Sequence, residues 1–400
     1  MGKRKGSKGE KDGAPPSAMS QLDRDFAVSG LPDYLEAQRT RVFCGSESNT
    51  SAKYFGSAHT YSTKGFDNSQ TWKEFERGLD IRIRRVDEAD NTMEFDLVGV
   101  SPSFANALRR ILISEVPTMA IEHVFFLNNT STIPDEILAH RLGLIPIAAD
   151  PALFKSRSPP SQESGNEHQE DDRDQRNTIV LRLQARCSGR NPGGKHEDNE
   201  YGKVKSKDLK WLPGGSEIPE ETGVRFTVSQ DTLEEFEGAP VRPVHDDILI
   251  AKLSSGQEIE LEAHCTKGTG AEHAKWSPVA TAWYRLCPEV VLLREVKGEK
   301  AEELLAKFEG LPKGVECPFE VVGGVARPRE GPPDLMCLER IRALSGEEEW
   351  KDYVQLRKIK DHFIFTVESS GVLPPQDLLC TAIDILASKA GGLAAKLAEA

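Results

Sequence analysis

From Phe104 to Ile147 the chain reads FANALRRILISEVPTMAIEHVFFLNNTSTIPDEILAHRLGLIPI, an amphipathic helix, a strand and a second capped helix in one unbroken unit. Phe104, Leu108, Ile111 and Leu112 fall at i, i+4, i+7 and i+8, which puts them on one helical stripe, and Ser101 or Ser103 can cap that helix. Pro117 limits it, since proline has no N–H to give to a preceding turn. Ile121 to Leu127 reads as a strand. Pro134 with Asp135 and Glu136 opens a short helix through Leu142, and Gly143 stands where a left-handed cap is expected. The unit carries no catalytic pattern.

The flanking sequence sets out the rest. Residues 1 to about 70 are rich in Gly, Ser, Lys and Asp with little periodicity, which predicts a disordered or loosely draped extension, with order beginning near Trp72. Leu79, Ile81 and Ile83, then Met93, Phe95 and Leu97, alternate with polar residues around a turn at Asp90 and Asn91, which predicts an antiparallel hairpin with one buried face. Residues 155 to 177 are nearly devoid of apolar side chains and carry an acidic run, and 189 to 207 are rich in glycine and charge; both read as surface excursions from a β-rich region. Further strands are predicted at Ile179 to Cys187, Ile248 to Leu253, Glu258 to His264, Val290 to Val296 and His362 to Glu368, with a helix from Glu299 to Phe308. Pro374 and Pro375 suit the first turn of a closing helix. Leu378, Leu379, Ala382, Ile383, Leu386 and Ala390 give it a broad apolar stripe, which Gly391 and Gly392 weaken.

Composition narrows the function classes. Four hundred residues, 38% hydrophobic and 29% charged, suffice for two or three domains with buried cores. The seven cysteines, Cys44, Cys187, Cys265, Cys287, Cys317, Cys337 and Cys380, lie no closer than roughly 20 residues apart, whereas zinc and cluster motifs bring cysteines within about two to four. Such a set reads as reduced thiols, with no metal and no cofactor. No uninterrupted apolar run approaches the ~18 residues of a membrane span, so a protein that is neither secreted nor membrane-spanning is expected. A formal net charge of −13 argues against a module that binds duplex nucleic acid directly, because neutralising phosphates requires gathered Lys and Arg. The basic cluster Lys3, Arg4, Lys5, Lys8 and Lys11 reads as a solvated tail, with a nuclear-import signal as the alternative.

Single motifs point away from catalysis. Gly189, Gly194 and Lys195 spell the start of a phosphate-binding loop, but His196 stands where a Mg-coordinating hydroxyl is needed and no amphipathic helix follows. A nucleotide-dependent enzyme is therefore only the alternative from another class. His264 and Cys265 are neighbours, which a strand sends to opposite faces, and an ordinary strand end is expected there. His245, Asp246 and Asp247 read as a solvated turn. His140 and Arg141 suit the negative end of their short helix and are expected to be structural. Arg109 and Arg110 are adjacent on a helix and point apart; a partly buried guanidinium demands carboxylate or carbonyl partners, which a protein interface can supply.

The block from Phe104 to Ile147, DILIAKLSSGQEIELEAHCTKGTGAEHAKWSPVATAWYRL from Asp246 to Leu286, and DHFIFTVESSG from Asp361 to Gly371 resemble, in order, the signatures of the α-like subunits of RNA polymerases. NNTSTIPDEILAHRLGLIPI looks most like the large form shared by eukaryotic polymerases I and III. The resemblance runs from about Trp72 to about Leu397. It implies an α+β fold: a dimerisation domain of antiparallel sheet and helices over 72–124 and 279–400, interrupted by a β-rich insert domain over 125–278, after an N-terminal segment of 1–71. It implies a non-catalytic scaffold that pairs with a small α-like subunit and receives the second-largest and largest polymerase subunits, in the nucleolus and nucleoplasm. On that resemblance the heterodimer interface is expected at Phe104, Leu108, Ile111, Leu112, Phe363, Phe365, Leu379, Ile383 and Leu386. Asn106, Arg109 and Arg110 are expected to meet a large subunit, and residues 142–147, LGLIPI, to form a structural or docking element. The third subunit of polymerase II is the alternative within the class; it carries clustered zinc-binding cysteines in its insert, where this chain has only Cys187 and Cys265.

Overall fold

The computed structural model describes residues 31–54, 60–156, 174–188, 202–233 and 241–399. The basic N-terminal cluster, most of the acidic stretch between 155 and 177, and the loop of Gly189, Gly194 and Lys195 lie outside these residues. In chain order the elements are α1 (Asp33–Thr40), β1 (Arg41–Cys44), β2 (Asn49–Thr50), α2 (Trp72–Gly78), β3 (Asp80–Asp87), β4 (Thr92–Val98), α3 (Pro102–Ser114), β5 (Pro117–Asn129), α4 (Asp135–Gly143) and β6 (Ile147–Ala148). There follow β7 (Thr178–Arg186), β8 (Lys203–Lys205), β9 (Leu209–Trp211), α5 (Pro219–Thr222), β10 (Arg242–Pro243), β11 (Leu249–Lys252), β12 (Glu258–Thr269) and β13 (Val279–Leu292). The chain closes with α6 (Glu299–Ala306), β14 (Phe319–Val322), β15 (Val325–Pro328), α7 (Leu335–Leu344), β16 (Val354–Ser369) and α8 (Pro375–Glu399). The architecture is α+β. A six-stranded sheet has the order β2-β1-β16-β4-β3, with β13 also on β16, and a four-stranded sheet has the order β5-β12-β7-β9.

The described residues form two compact units, one within Met1–Ile81, Asp96–Pro102 and Arg285–Ile364, the other within Arg82–Phe95, Ser103–Tyr284 and Phe365–Ala400. In the first, Leu304, Phe308, Phe319, Ile341, Leu344 and Trp350 form the apolar core. Helix α7 reaches it through Cys337, Ile341 and Leu344, at i, i+4 and i+7, and Asp334 caps it by accepting from the Met336 N–H at 2.8 Å. The expectation of a loose extension fails between residues 31 and 54. There β1 pairs antiparallel with β16, Arg41 opposite Ile359, and the Arg41 guanidinium meets Glu289 at 2.9 Å with both side chains largely buried. Lys360 is buried too, and its ammonium donates to the carbonyls of Gln38 at 2.6 Å and Lys53 at 2.7 Å. Burial, and then the nearby Arg39 charge, hold its pKa down to about 8. Polar composition hid this order, because what fixes the segment is main-chain pairing and carbonyl acceptors, which any residue type provides.

In the second unit the four-stranded sheet is antiparallel throughout, with β12 central: Cys265 faces Ile121 on β5 and Ile179 on β7. One sheet face, with Ile121, Ile179, Leu181, Leu261 and Cys265, packs on Leu138 and Leu142 of α4. His264 takes the other side, its ring 4.8 Å from Phe125 and near Glu262, whose carboxylate accepts from Ser216 Oγ at 2.7 Å and the Glu217 N–H at 2.9 Å. His264 and Cys265 thus do face apart, but in mid-strand, not at a strand end. Strand β12 runs on to Thr269 because Gly268 leaves room for the Trp276 indole: a Cβ there would stand 2.4 Å from the ring. Gly143 is no left-handed cap either, since α4 includes it and Leu144, right-handed, follows. Arg141 binds the carbonyls of Leu249 at 2.5 Å and Ile250 at 3.0 Å, a structural clamp on β11.

The hairpin of β3 and β4 needs one correction. Met93, Phe95 and Leu97 of β4 are buried, but Ile81, Ile83 and Val86 of β3 are exposed. Strand β3 ends its sheet, and alternation reports a period without saying whether anything covers the face.

Candidate assembly surface

Helix α3 begins at Pro102, a residue suited to a first turn, and so leaves Ser101 in the capping position. Ala105, Leu108, Ile111 and Leu112 are buried in the free chain. Its last turn is held from outside: the Ala271 N–H donates to the Ser114 carbonyl at 2.8 Å, and Gly270 lies so close that a Cβ would stand 2.3 Å from the Ile113 carbonyl oxygen. On the polar side of α3, Asn106 Oδ1 accepts from Arg109 Nε at 3.2 Å and from a terminal nitrogen of the same guanidinium at 2.9 Å. Asn106 therefore orients Arg109, half-buried, while Arg110 is exposed. The guanidinium is fixed in direction before any partner arrives.

Helix α8 opens at Pro375, with Leu378, Leu379 and Ala382 buried. Phe365, at the other side of this connection, stacks on Phe95 with ring centres 5.1 Å apart and meets Tyr284 at 5.2 Å. Beyond Ala382 the helix leaves the core but does not stop. Gly391 and Gly392 cost about 1 kcal/mol each relative to alanine, and the helix continues through both to Glu399. Midway, Lys389 Nζ pairs with both oxygens of Glu115, at 2.6 and 2.7 Å, tying the outer helix to the end of α3. Its apolar side chains there are accessible, Ile383 by 39%, Leu393 by 61% and Leu397 by 71%.

The nine residues expected at an interface divide sharply. Leu108, Ile111, Leu112, Phe363, Phe365 and Leu379 are buried by this chain alone and have almost no area left to lose. Phe104, Ile383 and Leu386 keep accessible surface. Leu393 and Leu397 lie beyond the expected stripe, which Gly391 and Gly392 interrupt; the signal that finds them is the continuation of apolar spacing across the pair. In LGLIPI, Leu142, Ile145 and Ile147 are buried and Leu144 is exposed. Helix α8 is long and apolar enough, by length and composition, to cross a membrane, although Asp384 and Lys389 interrupt its apolar run. Its many Ala and Gly residues give that character without a run of large apolar side chains.

Cys265 sits in the apolar core, and burial pushes its thiol far above the usual range, away from the thiolate that a metal requires. Among the described residues no cluster of three or more His, Cys, Asp or Glu side chains has metal-binding geometry.

Against known proteins, residues 94–390 match the RNA polymerase Rpb3/Rpb11 dimerisation domain. The chain is 42% identical over 368 residues to the DNA-directed RNA polymerases I and III subunit RPAC1 of Mus musculus, covering 89% of this chain and 94% of that protein. The Saccharomyces cerevisiae protein of the same description is 37% identical, with 82% of this chain and 90% of that one covered. The DNA-directed RNA polymerase II subunit rpb3 of Dictyostelium discoideum is 32% identical, over 83% of this chain and 99% of that protein.

Proposed function

The chain belongs to the RNA polymerase Rpb3/Rpb11 dimerisation family, and from that premise we propose that it is the larger α-like subunit of RNA polymerases I and III, a non-catalytic scaffold. Its partner in the first assembly step is the small α-like subunit, and the pair then receives the second-largest and largest subunits. The observation that carries the scaffold reading is the outer half of α8, an ordered apolar helix that its own chain leaves open. A helix kept in water with its leucines exposed is best explained by a protein that covers it. Arg109, aimed by Asn106, is the residue we assign to a large subunit, where its remaining donors meet carboxylates or carbonyls. The domain division is taken as 72–124 with 279–400 for dimerisation and 125–278 for the insert.

The polymerase I and III form is favoured over the polymerase II form because identity is higher to the former, 42% against 32%. Cys265 in an apolar core points the same way, away from the zinc cluster that the polymerase II form carries. The protein then works in the nucleus, in the nucleolus with polymerase I and in the nucleoplasm with polymerase III, supporting synthesis of ribosomal and transfer RNA. Affinity purification of the tagged protein from nuclear extract, with mass spectrometry of stoichiometric partners, tests this. Catalytic subunits of both polymerases and one small α-like subunit are expected; polymerase II subunits, or no polymerase, would refute it.

A further inference from the structure

Cys317 and Cys337 are well separated in sequence, yet the fold brings them to one place. Helix α7 carries Cys337 in its first turn, buried in the core of the first unit, and Cys317 is half-buried in the shell packed against that core. The Cys337 thiol donates to the Glu316 carbonyl at 3.5 Å, and Glu316 directly precedes Cys317. Standard backbone dimensions then leave the Cys337 sulfur within about 6 Å of the Cys317 Cα. Rotation about χ1 swings a cysteine sulfur by about 3 Å, and a disulfide needs Cα atoms about 4.4–6.8 Å apart. What separates the two is a gap that side-chain rotation and a small main-chain shift close.

The stretch that carries Cys317 is held on both sides. Arg329 anchors it twice, its N–H donating to the Pro318 carbonyl at 2.9 Å and its guanidinium pairing with Glu316 at 2.6 Å, and Phe319 is buried in the core. Burial, and then the Asp334 carboxylate and the Cys317 thiol, push the Cys337 thiol up, so Cys337 stays protonated as the S–H donor to Glu316. Cys317 has the side open to solvent. The next backbone nitrogen, that of Pro318, carries no hydrogen, which denies a Cys317 sulfenic acid the cyclic sulfenamide that another residue there would permit. Among the described residues no third ligand joins the pair to make a metal site.

We propose that Cys317 and Cys337 are a redox pair, a site of reversible oxidation by hydroperoxides in which Cys317 reacts first and Cys337 resolves it. The Cys317 thiolate sulfur attacks one peroxide oxygen, the O–O bond breaks, the other oxygen leaves with a proton as water or an alcohol, and a sulfenic acid remains. The Cys337 sulfur then attacks the Cys317 sulfur, the S–O bond breaks, and the departing hydroxide takes the Cys337 thiol proton and leaves as water. Sulfur is oxidised, peroxide oxygen is reduced, and a small thiol reductant reverses the bond by exchange. The new bond ties the first turn of α7 to the entry of β14 and encloses the hairpin of β14 and β15. It does not depend on which polymerase the chain serves.

The test uses the full-length chain, reduced, desalted, exposed to hydrogen peroxide, blocked with iodoacetamide and cut with trypsin, which cleaves between the two cysteines after Arg329. The expected result is a peptide pair joined through Cys317 and Cys337, lost on treatment with dithiothreitol, that accounts for most of the Cys337 thiol consumed. Cys337→Ala should leave Cys317 as a sulfenic acid that dimedone traps, and Cys317→Ser should leave Cys337 unoxidised at the same peroxide dose. Cys317 is only half-buried, so its serine variant keeps the core intact, and circular dichroism checks the fold of both variants. Sulfinic acid at Cys317 without a link, a link from either residue to Cys44, which shares the same core, or links only between chains would each overturn the pair. Dimedone labelling of Cys337 ahead of Cys317 in the wild type would overturn the order of attack.

Discussion

Gly270→Ala isolates one close approach. The Gly270 backbone is not in the left-handed region, so alanine meets no conformational penalty there and the cost is steric. The added Cβ would lie 2.3 Å from the Ile113 carbonyl oxygen and 3.2 Å from Ser114 Cα, both main-chain atoms that have no rotamer to escape into. Overpacking of this kind costs about 1–3 kcal/mol. Moving the turn away also breaks the 2.8 Å bond from the Ala271 N–H to Ser114, worth about 1 kcal/mol. The sum is roughly 2–4 kcal/mol, which for a unit of this size lowers the melting temperature by roughly 5–15 °C. The assay is a thermal melt of the purified heterodimer at fixed concentration. Gly391→Ala serves as the control: nothing lies within 4 Å of that site, and alanine should favour the helix by up to about 1 kcal/mol. A Gly270→Ala protein that melts within about 1 °C of wild type, or a control that falls by as much, would refute the steric account of how α3 is held.

Other perturbations probe other contacts. Arg109→Ala should leave the heterodimer intact and impair incorporation of the large subunits, measured by the subunit ratio in affinity-purified polymerase; a normal ratio would remove that role. Lys360 gives up its proton near pH 8 when folded, against 10.5 ordinarily, so between those values the unfolded chain binds more protons and stability rises with pH. Urea denaturation from pH 7.5 to 10 should show a steeper rise in wild type than in Lys360→Met, and parallel curves would contradict the assignment. Arg41→Ala leaves the largely buried Glu289 carboxylate unpaired and should cost about 3–5 kcal/mol, with part recovered in Arg41→Met combined with Glu289→Leu.

The sequence announced some of these features and concealed others for identifiable reasons. Stripe spacing located α3 to within two residues at each end, and the strands at 179, 249 and 258 were legible from alternation and β-branched content. Strand β13 was not. It runs from Val279 to Leu292 through Pro288, and a proline argues against a strand because it withholds a ladder donor; the predicted strand from Val290 to Val296 catches only its end. Helix α2 has no legible apolar stripe, since none of its side chains is buried, although Thr71 and Glu74 form a full capping box. The candidate surface was half legible. Periodicity shows which residues share a face, but burial depends on what else arrives there, so six of nine expected interface residues lie inside the chain and Leu393 and Leu397 lie outside it.

Strand β1 has a consequence for how the chain is made. Arg41 pairs with Ile359, so the ladder that β1 completes has to wait for roughly 300 further residues. At the usual pace of about 5–20 residues per second, that is roughly 15–60 seconds on the ribosome. During that interval the sheet of β5, β7, β9 and β12, all encoded between, is already out and able to close. The order of manufacture is therefore inside first, with β1 and β16 meeting last. The nascent N-terminal strand, with an open hydrogen-bonding edge for most of synthesis, is the segment with most need of a chaperone.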